Sequence, residues 1–231
     1  MLAFLSFVEA VAALKRGEII FYPTETSYAI GGDAADSQTA AKIMLLKGRA
    51  VNKTLPAIVS SPAMARRYAV FSKLANRLAR TYWPGALTLV LPVASKLSGT
   101  LSHGVLREES LVPSGMPGAV IAETAQAPYG DAEGSPAKFI ALRVSSHPVA
   151  RKLAEKLERP LISTSANPSG LPPYFDPEKI AAARWPSHIK IAGILSGGVL
   201  PKNEPSTILK VVGEFAEVVR KGAVAFKGGH F

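Results

Sequence analysis

The chain has 231 residues, 48% of them hydrophobic and 19% charged, which suits a folded protein with a full core and excludes a disordered one. It contains no cysteine, and its four histidines (His103, His147, His188, His230) are scattered, so disulfides, thiolate catalysis and cysteine-bound zinc are excluded and no metal-ligand spacing is present. A formal charge of +10 and a pI near 9.9 favour polyanionic partners such as nucleotides or nucleic acid.

The first eight residues are mostly apolar, but they contain no basic residue and Glu9 interrupts the run, so they do not read as a signal peptide. Ser6 and Glu9 instead predict a capping box that opens a helix over about 7–16, stopped by Gly17. No stretch reaches the roughly 18 apolar residues needed to span a bilayer. The expected address is the cytoplasm, with no membrane partner. A strand over 18–23 runs into a polar turn over 24–32, after which Asp36 or Ser37 caps a helix reaching Lys47. A short buried strand over 55–59 precedes two basic amphipathic helices, over 62–70 and 72–82, which carry Arg66, Arg67, Lys73, Arg77 and Arg80.

Trp83-Pro84-Gly85 breaks the pattern before a strand over 86–93. From about 95 to 138 the chain is rich in Gly, Pro, Ser and Ala without a period, which reads as a long loop or lid. Regularity returns with a strand over 139–144, a helix over 148–157 and a strand over 159–164. A helix over 177–184 and strands over 189–195, 206–212 and 217–225 complete the chain. The expected architecture is one α/β domain over 1–231, a twisted mixed sheet with flanking helices whose strand ends carry polar residues.

Two polar islands stand out. Lys47-Gly48-Arg49, with Lys53 nearby, supplies fixed positive charge at a helix end. Ser163-Thr164-Ser165-Ala166-Asn167-Pro168-Ser169-Gly170 supplies short hydroxyl and amide groups on a turn. Together they offer what a triphosphate and a small polar substrate need. Each has a plain alternative: a lysine complements a helix dipole, and Ser, Asn, Pro and Gly are ordinary turn formers. No Walker loop and no Gly-x-Gly-x-x-Gly is present, which argues against common kinases and dehydrogenases.

Taken with Tyr22-Pro23-Thr24-Glu25-Thr26-Ser27-Tyr28-Ala29-Ile30-Gly31, Trp83-Pro84-Gly85, Ala141-Leu142-Arg143-Val144 and Pro205-Ser206-Thr207-Ile208, these islands make the chain resemble the Sua5/YciO/YrdC family, over nearly its whole length except about 95–138. The resemblance implies a basic concave face on the sheet and the short, YrdC-like form. It also implies an L-threonylcarbamoyladenylate synthase, which makes threonylcarbamoyl-AMP and pyrophosphate from L-threonine, bicarbonate and ATP for the t6A modification of tRNA, with other t6A-modification proteins as partners. It further implies Lys47 and Arg49 as catalytic, and Lys47, Arg49, Lys53, Ser165, Asn167 and Arg220 as ATP-binding. Thr26, Arg143 and Ser206 would hold threonine, and Mg2+ would be bound through the ATP phosphates with no protein metal site. Arg143 is chemically apt, because a guanidinium grips a carboxylate bidentately. Two other readings stay open. One is a double-stranded RNA- or tRNA-binding or ribosome-maturation protein of the same fold, without synthase activity. The other is a carbamoyl-adenylate enzyme with a different acceptor.

Overall fold

Apolar runs with no polar alternation need cover on both faces, and that requirement organises the molecule. The computed structural model describes residues 2–48, 55–94, 139–168 and 170–226, with the backbone pairing of 105–106. In chain order the elements are β1 (Phe4–Leu5), α1 (Phe7–Lys15), β2 (Ile19–Pro23), β3 (Tyr28–Gly31), α2 (Ser37–Lys47), β4 (Ala57–Ile58), α3 (Pro62–Ala65), α4 (Lys73–Tyr82), β5 (Leu87–Pro92), β6 (Val105–Leu106), β7 (Phe139–Arg143), α5 (Pro148–Leu157), β8 (Leu161–Ile162), β9 (Thr164–Ser165), α6 (Pro177–Ala182), β10 (Ile191–Leu195), β11 (Thr207–Val212) and β12 (Phe215–Arg220). They form two mixed sheets, one in the order β1-β10-β2-β3-β9 and one in the order β12-β11-β5-β7-β4-β8, with β6 paired to β7. Every residue of β2, β5 and β7 is buried. By contrast β11 alternates buried with half-buried positions, and β12, at the sheet edge, is largely exposed.

Local chemistry sets the helix ends, and the starts of α1 and α2 are as read from the sequence. Ser6 and Glu9 form the capping box of α1, with Ser6 N–H donating to Glu9 Oε2 at 2.7 Å. Asp36 caps α2 by accepting from Gln38 N–H at 2.9 Å, and Gly48 ends that helix at φ 59°, a left-handed conformation glycine adopts without strain. Ser61 and Ser72 cap α3 and α4. His147 and Asp176 cap α5 and α6, each followed by proline in the first turn.

The expectation of one mixed sheet resolves into two, because the 159–164 strand is divided. β8 pairs antiparallel with β4 in one sheet and β9 pairs antiparallel with β3 in the other, with Ser163 alone between them. Ile162 N–H bonds to Gly32 O and Ser163 N–H to Pro56 O, both at 2.8 Å, so the chain is tied to both sheets as it crosses. The buried Tyr22 hydroxyl donates to Ile162 O at 2.9 Å across this seam. Gly31 must be small there: a methyl group on its Cα would meet the Tyr22 ring and Ile162 O.

Several boundaries differ from expectation. The 24–32 turn contains β3, whose four residues are all buried and so show no period to read. The 62–70 helix is a single turn, α3. β1 was not anticipated, and β12 stops at Arg220. Most of 95–138 lies outside the described residues, although β6 falls within it. No helix among the described residues is long and apolar enough to cross a membrane.

Replacement of Gly31 by Ala is expected to lower unfolding stability by about 1–3 kcal/mol through overpacking of the seam. Tyr22→Phe should cost about 1 kcal/mol through loss of its buried hydrogen bond. Urea midpoints with unchanged slopes measure both; an unshifted midpoint for Gly31→Ala would refute the packing described.

Candidate active site at the seam between the sheets

A cavity of about 440 Å³ opens where the two sheets meet, a size suited to a small-molecule ligand. Its wall takes Thr24, Thr26 and Ser27 from the turn after β2, and Ala29 from β3. Thr88 comes from β5, Arg143 from the end of β7, and Ser163, Thr164, Ser165 and Asn167 from the seam. Asn203, Pro205, Ser206 and Arg220 close it. Six residues named from the sequence therefore share one cavity: Thr26, Arg143, Ser165, Asn167, Ser206 and Arg220. A larger depression of about 970 Å³ lies beside Asp33, Tyr68 and Arg159 and contains none of them. Its charges are mixed, with Asp33 and Arg159 paired at 2.7 Å, so size does not make it the better candidate.

Lys47, the last residue of α2, is buried at 1% exposure. Its ammonium group donates to Ser165 O, Asn167 O and Asn167 Oδ1, each at 2.7 Å, with Ser165 Oγ farther away at 3.3 Å. Three short contacts match the three protons of an ammonium. Asn167 Nδ2 donates to Leu171 O, so both ends of that amide are engaged and its orientation is set. Lys47 thus holds the Ser165–Asn167 turn in place. Arg49 and Lys53, the other two expected cations, lie outside the described residues, as does Ser169.

The turn after β2 is organised by Thr24, which is 2% exposed. Its hydroxyl donates to Ser27 O at 2.7 Å and accepts from Thr26 N–H and Ser27 N–H. The Thr26 hydroxyl lies 3.0 Å from the Thr24 hydroxyl and at the cavity wall, where its oxygen can accept a hydrogen bond. Glu25 was not among the expected site residues, yet its Oε1 accepts from Arg143 Nη1 at 3.1 Å and its Oε2 accepts from Ser145 Oγ. The side chains of Arg143 and Glu25 are 8% and 15% exposed, so this is a largely buried ion pair that links the two sheets. Asn203 Nδ2 donates to the Glu25 carbonyl at 2.9 Å and draws the 201–205 loop onto the turn.

Ser145 in turn accepts from His147 N–H at 3.1 Å, and His147 Nδ1 accepts from Val149 N–H as the cap of α5. Burial lowers the His147 pKa below the ordinary imidazole value, and the nearby Glu25 carboxylate offsets part of that. On the far side of the cavity Ser206 is held three ways. Its hydroxyl lies 2.9 Å from Thr88 Oγ1 and accepts from Arg220 Nη2 at 2.9 Å, while its carbonyl accepts from Arg220 Nε and Nη2.

Glu25, Ser145 and Thr88 are the functional candidates that residue-by-residue reading did not name. Glu25 lay inside the quoted polar turn, and Ser145 followed Arg143-Val144. Thr88 left a fainter signal, a lone hydroxyl in a strand otherwise suited to full burial, which must find a polar partner.

Residues 12–222 match the model of the Sua5/YciO/YrdC family, described as telomere recombination. A threonylcarbamoyl-AMP synthase of Vibrio parahaemolyticus is 29% identical over 220 residues, covering 94% of this chain and 99% of the relative. One of Photobacterium profundum is 32% identical over 170 residues, covering 71% of this chain and 74% of the relative. The crystal structure of P. abyssi Sua5 complexed with L-threonine is similar with a TM-score of 0.70 at 25% identity; the match covers 95% of this chain and 56% of that longer one. E. coli YciO shares the fold, with a TM-score of 0.70 at 22% identity over 94% of this chain and 88% of its own.

Lys47→Met is expected to destabilise the protein by about 3–5 kcal/mol, because it strands buried oxygens, and Lys47→Arg should not rescue it, since a planar guanidinium cannot reproduce three tetrahedral donors. Chemical denaturation measures both, and a wild-type midpoint for either variant contradicts the assignment. The depressed His147 pKa stabilises the fold fully above the ordinary value of 6.5, and that contribution is lost as pH falls through the lower folded value. His147→Asn, which keeps a capping side chain, should match wild type at about pH 8 and lose less stability than wild type at about pH 5. Equal losses would exclude His147 as the titrating group.

Proposed function

The chain belongs to the Sua5/YciO/YrdC family, and from that premise we propose that it is an L-threonylcarbamoyladenylate synthase, converting L-threonine, bicarbonate and ATP into threonylcarbamoyl-AMP and pyrophosphate. The observation that carries this reading is the single cavity in which Thr26, Arg143 and Ser206 face the same space as Ser165, Asn167 and Arg220. One set suits an amino acid and the other a nucleotide.

In this reaction the carboxylate of N-carboxythreonine attacks the α-phosphorus of ATP and pyrophosphate leaves. The nucleophile is already anionic, so no histidine or cysteine is needed; the protein's task is to bring two anions together and to stabilise charge on the leaving phosphates. Arg143, oriented by Glu25 through Nη1, offers its remaining donors to the threonine carboxylate. The acceptor lone pairs of Thr26 suit the amine nitrogen before it is carboxylated. Lys47 acts from behind the wall, shaping the Ser165–Asn167 turn for the nucleotide and adding positive potential. Arg49 and Lys53 are assigned to the phosphates on their charge and proximity in sequence to Lys47. Among the described residues no carboxylate lines the cavity and no group of three or more potential metal ligands occurs; magnesium would arrive with ATP, bound by its phosphates.

The product is a mixed anhydride, fit to donate its threonylcarbamoyl group to an adenosine of tRNA with the help of other t6A proteins in the cytoplasm. The exposed side of α4, with Lys73, Arg77 and Arg80, is the observation that favours RNA binding as a second reading.

Pyrophosphate release from ATP and bicarbonate should depend on L-threonine in the wild type. Arg143→Ala should lower kcat/KM for threonine by about 10²-fold, and Arg220→Ala should act mainly on the KM for ATP. Wild-type release that ignores threonine would overturn the synthase reading, and salt-dependent RNA binding without turnover would put the second reading in its place.

A further inference from the structure

Ser206 belongs to one half of the proposed site and Arg220 to the other, yet the two are joined. Arg220 sends Nε and Nη2 to the Ser206 carbonyl at 3.1 and 2.7 Å, and Nη2 also reaches Ser206 Oγ at 2.9 Å. A guanidinium is rigid and planar, so a shift of Ser206 carries Arg220 with it. Thr88 completes the unit from β5, where it is 2% exposed and pairs in register with Ile208 of the neighbouring β11.

The direction of the hydrogen bonds matters. Arg220 can only donate, so one lone pair of Ser206 Oγ is taken. When the Thr88 hydroxyl donates as well, both lone pairs of Ser206 Oγ are used and its own proton can only point elsewhere, toward an acceptor in the cavity. Two donors acting on one hydroxyl polarise it and make it a better donor in turn. A carboxylate or carbamate oxygen at Ser206 would favour this arrangement over the reverse one, in which Ser206 donates to Thr88.

We infer that Thr88 is a positioning residue that couples the two substrate subsites: threonine accepting from Ser206 fixes the donor direction of the Thr88–Ser206–Arg220 unit and so sets Arg220 for the nucleotide. This rests on the synthase reading. It makes the two substrates mutually reinforcing, and linkage requires the enhancement to be equal in both directions.

The test is the dissociation constant of a non-hydrolysable ATP analogue with and without saturating L-threonine, and that of threonine with and without the analogue, by calorimetry. Wild type should show the same enhancement in both directions, about 5- to 100-fold. Thr88→Val, which keeps the shape of the side chain and removes the hydroxyl, should bring the enhancement close to one, and Thr88→Ser should restore it. A purely structural role for Thr88 would weaken each ligand alone and leave their ratio unchanged. Wild-type coupling in Thr88→Val, or no coupling in a wild type that binds both ligands, overturns this inference and spares the synthase reading. Failure of wild type to bind threonine or the analogue overturns both.

Discussion

An ammonium group held out of water by neutral oxygens is the constraint on which the site depends. Removing a lysine from solvent costs several kcal/mol, and here the compensation comes from three contacts of 2.7 Å to Ser165 and Asn167. Those partners are dipoles, not ions. They replace the lost hydration and hold the ammonium group behind the cavity wall, where charges interact over longer range than in water. The same contacts tie the end of α2 to a turn some 120 residues away in sequence, so the charge and the hydroxyls are placed by one interaction.

A second tie lies across the cavity. Arg143 at the end of β7 belongs to one sheet, and Glu25 follows β2 in the other, so their ion pair fixes the two sheets relative to each other where the substrate would sit. Ser145 and Asn203 brace the carboxylate and its backbone. Tyr28 does similar work below: its hydroxyl accepts from Gly197 N–H and donates to Gly198 O, both at 2.8 Å, and so holds the loop that leads to Ser206. The loops around the cavity are therefore anchored individually, and their polar tips are held at set separations.

Much of this was legible one residue at a time. The Ser6–Glu9 capping box, the Asp36 cap, and the apolar runs of β2, β5 and β7 depend on neighbours close in sequence or on an unbroken hydrophobic pattern. β3 was missed because four buried residues on both faces leave no period, and a polar turn precedes them. The division at Ser163 was missed because two strands separated by one residue have the composition of one strand. Thr88 drew no notice because a single hydroxyl in an apolar run acquires meaning only from its partner 118 residues away.

The sequence by itself determined the residue types that anionic chemistry requires, where most helices start and stop, and the family pattern that joins the islands. Those properties are local, or are carried by the order of residues along the chain. Only the tertiary structure decided that Lys47 is a buried clamp, that Arg143 is already paired with Glu25, and that Ser206 is shared between Thr88 and Arg220. Hydrogen bonds and burial are properties of points in space, and every one of these contacts joins side chains brought together by separate strands, helices and loops.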